Sequence, residues 1–170
     1  MTSGLFDPHG GADPTLTGVE SRTLRALLQL ERRHIAILAE TVSNERVTTE
    51  RVTQWERSAD RGYPVGLVTL LRDIEGAVSD LAGQMAGQAR RDREGRMTIL
   101  RPKSKDAIMR RLRLHEAAEV RFSPDQLKAL DEGGGDFWQR LCDAAVASAA
   151  LSLGFSDNRP VHVAYEAEST

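Results

Sequence analysis

The sequence predicts a mainly helical protein: a group of short helices, one long helix, and a C-terminal part of helices with two short strands. Three observations carry this. Leu67, Leu71, Ile74, Val78, Leu81 and Met85 recur at spacings of four, three, four, three and four, a heptad seam that only a helix lines up on one face. Helix-start signals punctuate the chain, at Thr17-Gly-Val-Glu20, Ser123-Pro124 and Asp136. Only Met97–Pro102 and Val161–Tyr165 read as strands.

Residues 1–16, with three glycines, two prolines and no apolar period, are expected to be a disordered tail. Thr17 and Glu20 then have capping-box spacing, and the first helix should run to about Leu30 with Val19, Leu24, Leu27 and Leu28 inward. A second helix fits Arg32–Glu40, and a third runs from about Thr49 to Arg57 with Val52 and Trp55 as its packing residues. Pro64 suits the first position of the long helix. Gly95 is the expected stop after it, so a boundary falls near residues 90–97 and separates residues 17–94 from 97–166. Ser104 to Leu114 reads as a helix, Ser123-Pro124 starts another, Gly133–Gly135 breaks the chain, and Asp136 caps a helix through Leu153 closed by Gly154.

At 40% hydrophobic and 28% charged residues, the chain can build a packed core. No apolar run reaches the roughly 18–20 residues that cross a bilayer, so no membrane partner is expected. Cys142 is the single cysteine, which excludes an intrachain disulfide and fits a reducing, cytoplasmic setting. Within a helical run of alanines, its natural reading is a small buried thiol. The histidines His9, His34, His115 and His162 lie at no metal-ligand spacing, and Gly133–Gly135 lacks the Lys-Ser/Thr of a phosphate loop. The expectation is therefore no enzyme, no cofactor and no evident small-molecule effector.

The net charge of −2 hides a segregation: residues 1–60 carry −2, residues 61–113 carry +6 and residues 114–170 carry −6. A basic middle beside an acidic end points to one polyanion-facing surface, although chance clustering on solvated helix faces gives the same pattern. The segment from Leu30 to Glu56 gives that surface a form. Its third helix sets Thr49, Glu50, Arg51, Thr53 and Gln54 opposite a narrow apolar face. Arg pairs with guanine, Gln with adenine, and Thr with phosphate or the thymine methyl; free amides at the helix start favour a phosphate near Thr48. Ser43 could also start this helix, exposing Asn44, Glu45 and Arg46 instead; the Thr48 start keeps the valine-to-tryptophan spacing.

Val47-Thr-Thr-Glu-Arg-Val-Thr-Gln-Trp55-Glu56 resembles the recognition helix of Cro and phage-repressor regulators, which ends in a Trp-Glu pair before a polar turn. The order of the long helix, Ile99-Leu-Arg-Pro102 and a helix opening with Trp138 is similar to two-domain anti-CRISPR-associated autorepressors and their bacterial relatives. The resemblance implies an N-terminal helix-turn-helix domain, a long connecting helix and a small α(+β) C-terminal dimerisation domain. It implies a homodimeric repressor of double-stranded DNA. Arg51, Gln54 and Thr49 would meet base edges, while Thr48, Thr53, Arg57, Arg61 and Arg32 or Arg33 would meet phosphates, beside Glu50. Dimerisation would use the helix from Trp138 to Leu153, through Trp138, Leu141, Ala145 and Leu151, unless that helix is the core of one subunit. The competing expectation is a helical protein-interaction module, such as an antitoxin or adaptor.

Overall fold

The computed structural model describes residues 16–91, 93–114, 124–132, 136–157 and 161–166. Helices α1 (Gly18–Leu27), α2 (Arg32–Ser43), α3 (Thr49–Arg57) and α4 (Val65–Gln88) come first. Strands β1 (Arg90–Arg91) and β2 (Met97–Arg101), helices α5 (Lys105–Leu112), α6 (Pro124–Glu132) and α7 (Phe137–Asp157), and strand β3 (Val161–Tyr165) follow. The expectations for the tail before residue 16, for Ser123 as a cap and for a break at Gly133–Gly135 lie outside the described residues.

The spine is α4. All six seam residues are buried, and so are Val68, Leu70, Ala77 and Ala82, which widen the seam into a helix covered on two sides. Helices α1 and α2 pack on it, as do β2, α5 and, most extensively, α7. Each fully buried Leu or Ile contributes roughly 1.5–3 kcal/mol relative to exposure, so this helix holds a large share of the hydrophobic stabilisation. The boundary expected near residues 90–97 falls between two elements, α4 and β2, that belong to one core.

The sheet has the order β1-β2-β3. β1 pairs antiparallel with β2 across the turn at Gly95, whose φ of 77° suits a residue without a Cβ. β2 and β3 run parallel, Ile99 opposite Val163, and the helices between them supply the crossover that a parallel pair requires.

Several boundaries differ from expectation for local reasons. Helix α1 stops at Leu27, because Gln29 turns into the left-handed region (φ 56°) and the Leu30 amide reaches back to the Arg25 carbonyl. Leu28 and Leu30 are buried as a result, while Val19 and Leu27, expected inward, are 61% and 62% exposed. Helix α2 runs on to Ser43, where Asn44 (φ 55°) takes the left-handed capping position glycine often fills. That removes the alternative register, since Ser43 ends one helix and cannot begin the next. Pro64 is the N-cap of α4 and not its first helical residue. Helix α5 ends at Leu112, two residues early, with Arg113 left-handed. Helix α7 continues through Gly154 to Asp157.

Two glycines are fixed by close approach. The Gly18 amide, at the start of α1, donates to the Ser58 carbonyl at the end of α3 at 3.0 Å. A Cβ there would lie 2.5–2.7 Å from the carbonyl oxygens of Ser58, Trp55 and Glu56. Gly62 lies as tightly against the Leu16 and Thr17 carbonyls. By contrast, a Cβ at the mid-helix Gly76 meets nothing within 4 Å. Gly18→Ala should therefore lower unfolding stability by about 1–3 kcal/mol, and Gly76→Ala should raise it by roughly 0.5–1 kcal/mol. Urea denaturation of both variants checks the pair; equal effects would contradict the close approach at Gly18.

Candidate nucleic-acid interface

The Thr48 hydroxyl accepts the Arg51 amide at 3.3 Å and caps α3. The five residues joining α2 to α3 are stapled from inside, because the Glu40 carboxylate accepts the Val47 amide at 2.9 Å. The inward face of α3 is Val52, fully buried, and Glu56, four residues on. Trp55 is only half-buried. Periodicity assigns Val52 and Trp55 to packing and gives Glu56 no such role, so this residue is what the sequence reading missed.

The Glu56 side chain is 1% exposed, and it is the meeting point of the three short helices. Arg25 of α1 donates to both its oxygens, Nε to Oε1 at 2.6 Å and Nη2 to Oε2 at 3.3 Å. Arg32 of α2 donates to Oε2 at 2.8 Å, and the Tyr63 hydroxyl donates to Oε1 at 2.5 Å. Burial pushes the Glu56 carboxyl up, but the hydrogen bonds from Arg25 and Tyr63 and the Arg25 charge outweigh it and hold the group below its ordinary value. Burial, reinforced by the same carboxylate, holds the Tyr63 phenol far above its usual range. A charge-assisted network of this kind fixes the angle at which α3 leaves the other two helices.

The outward residues of α3 are Thr49, Glu50, Arg51, Gln54 and Arg57, all exposed, with Thr53 at the margin. The Arg51 guanidinium donates to Gln54 Oε1 at 3.2 Å and lies over the Trp55 ring, 5.7 Å from its centroid. The two side chains are thus held together on one face. The Thr53 hydroxyl donates back to the Thr49 carbonyl at 2.9 Å. Arg61 is exposed in the turn after α3, and its amide donates to the Ser58 hydroxyl at 3.1 Å.

The remaining expected residues lie elsewhere. Arg32 is committed to Glu56, and Arg33 pairs with Glu31 and Asp136. Arg33 belongs to a second network, in which Arg140 at the start of α7 pairs with Asp136 and Glu31. His34 is buried within it: its Nδ1 accepts the Glu31 amide at 3.0 Å, and its Nε2 lies 3.3 Å from Asp136. Trp138, Leu141 and Ala145, expected at a dimer interface, are buried in the chain's own core, where α7 lies against α4. Their apolar surface is already used, which corrects that expectation; Leu151 alone of the four is exposed, at 61%. Against protein-family models, curated proteins and solved structures, the chain gives no significant match.

Because the folded value of Glu56 is lowered, its contribution to stability is fully present above the ordinary carboxylate value near 4.5 and is lost as pH falls through the folded value. Urea denaturation from pH 3 to pH 7 should show stability falling at the acid end. Glu56→Gln should cost about 3–5 kcal/mol at pH 7, by leaving Arg25 without its charge partner, and should flatten the acid limb. An unchanged limb in a folded variant would place the titration elsewhere.

Proposed function

We propose that the chain is a sequence-specific regulator of transcription that binds double-stranded DNA, a repressor of the phage type, with α3 as its recognition helix. The observation that carries this reading is the division of α3 into two faces. Val52 and Glu56 lock it onto α1 and α2, while Thr49, Glu50, Arg51, Gln54 and Arg57 are left to solvent. An exposed helix N-terminus with paired Arg and Gln side chains suits a major groove.

In this reading Arg51 addresses guanine, Gln54 adenine and Thr49 a thymine methyl, while Glu50 accepts from the cytosine amino group. Thr48, Thr53, Arg57 and Arg61 serve the phosphates. Arg32 and Arg33, half-exposed and each already paired with a carboxylate, would add to that set. The basic segment adds a second cationic element, because Arg90, Arg91, Arg93 and Arg96 are exposed on the β1–β2 hairpin. A symmetric operator would require a homodimer with recognition helices roughly 34–36 Å apart. Its contacts must come from surface other than Trp138, Leu141 and Ala145.

Selection of duplexes from a random pool, followed by titration, tests the proposal. Arg51→Ala and Gln54→Ala should each weaken binding to the selected site by about 1–3 kcal/mol and leave non-specific affinity near wild type. A folded protein that selects no sequence would overturn the reading in favour of the protein-interaction module. Affinity should also fall steeply between about 50 and 200 mM salt, by close to one power of salt concentration per phosphate contact. Arg57→Ala should reduce that slope by about one. A salt-independent affinity would contradict the phosphate contacts.

A further inference from the structure

Beside the outward face of α3 lies a cleft of about 690 Å³, between the end of α3, the turn at residues 58–63 and the start of α4. Its size is that of a small-molecule site. Leu16, Trp55 and Pro64 give it apolar walls, and Tyr63 stands edge-on to the Trp55 ring, with centroids 6.2 Å apart. Polar groups line the same space. Arg51 enters already oriented by Gln54 and the indole, Arg61 lines the opposite turn, and Gln54 and Asp60 add an amide and a carboxylate. Arg51 and Arg61 against Asp60 leave the lining with a net positive charge. Val65 also lines the cleft, at the first turn of α4, whose N-cap Pro64 supplies no side-chain acceptor.

We propose that this cleft binds a nucleoside phosphate. Arg51 and Arg61 would take the phosphate, the first as a preorganised guanidinium fork. The apolar walls would take the base, with Gln54 on its hydrogen-bonding edge, and Asp60 would accept from the sugar hydroxyls. The volume exceeds what a lone phosphate fills, and the carboxylate beside two guanidiniums disfavours a polyanion. A base stacked within a duplex cannot enter without leaving its stack, so the source of the ligand is a free mononucleotide and not a flanking nucleotide of bound DNA. Such a ligand would occupy Arg51 and Gln54 and so exclude DNA from α3. This second, competitive half rests on the DNA-binding reading; the first half stands without it.

The test is calorimetric titration of the full chain with AMP, with adenosine and with inorganic phosphate. AMP should bind with a dissociation constant below 1 mM, on the order of the weak end of measured affinities, and at least tenfold more tightly than either fragment. Arg61→Ala should weaken AMP binding about tenfold, as loss of one charge-assisted contact does, whereas Arg22→Ala, an exposed arginine of α1 outside the cleft, should leave it unchanged. Added AMP should then release labelled duplex DNA. DNA binding without AMP binding would overturn the cleft inference and leave the DNA reading standing. AMP binding in a protein that ignores DNA would support the cleft and overturn the competition. AMP binding equally strong in Arg61→Ala would overturn the assigned site.

Discussion

The Glu56 carboxylate is the point from which the N-terminal half takes its shape. One acidic side chain, almost wholly removed from water, accepts hydrogen bonds from α1, α2 and the Tyr63 turn while itself belonging to α3. Desolvating a carboxylate is expensive, and replacing a buried ion pair by apolar groups is often neutral or stabilising. What the network contributes is geometry. An apolar contact between short helices tolerates sliding and rotation, whereas a carboxylate accepting four hydrogen bonds from three residues has a narrow range of arrangements that satisfy all of them. Helix α3 has nine residues and only Val52 fully buried among its apolar side chains, so hydrophobic packing alone would orient it weakly.

The backbone reinforces the same arrangement. The amide of Gly18 meets the last carbonyl of the α3 turn, and the Gly62 amide donates to Leu16 at 2.6 Å. The start of α1 therefore receives the end of α3, positive helix end against negative, with no side chain between them. The Tyr63 amide donates to the buried Ser21 hydroxyl at 3.0 Å, which binds the same turn to the middle of α1. None of these contacts uses the outward residues of α3. Its outer side is consequently free to carry Arg51 and Gln54 as a pair, and the proposed DNA contacts and the nucleotide cleft both depend on that freedom.

At the same N-terminal end of α2 that supplies Arg32, a second network of Glu31, Arg33, Asp136 and Arg140 ties the short helices to α7. Burial raises the Asp136 carboxyl, but the Arg140 bonds and charge dominate and keep it below its usual value. Together with the packing of α7 on α4, this joins the two halves of the chain through both charge and apolar area. It also explains why the alanine-rich face of α7 lies inside the molecule: small side chains let it approach α4 closely, and Ala144, Ala145 and Ala149 are buried there.

Elements with local signals could be read from the residues alone. The heptad seam of α4, the Thr17–Glu20 box, the Thr48 and Ser104 caps and the β2 and β3 strands all follow from residues within one or two turns of each other. The exposed set on α3 was legible for the same reason, since Arg51, Gln54 and Trp55 are helical neighbours. Which charged groups leave solvent, and which apolar ones remain in it, depends instead on packing between distant segments. Glu56 is buried because Arg25, Arg32 and Tyr63 converge on it from three separate elements, up to 31 residues away in sequence. Leu27 stays exposed because the chain turns left-handed two residues later and sends Leu28 and Leu30 inward instead. Trp138, Leu141 and Ala145 became core, not interface, because the helix that carries them packs against α4, α5 and the sheet. Periodicity states that a face is apolar; the partner that covers it is set by long-range packing, which no local pattern encodes.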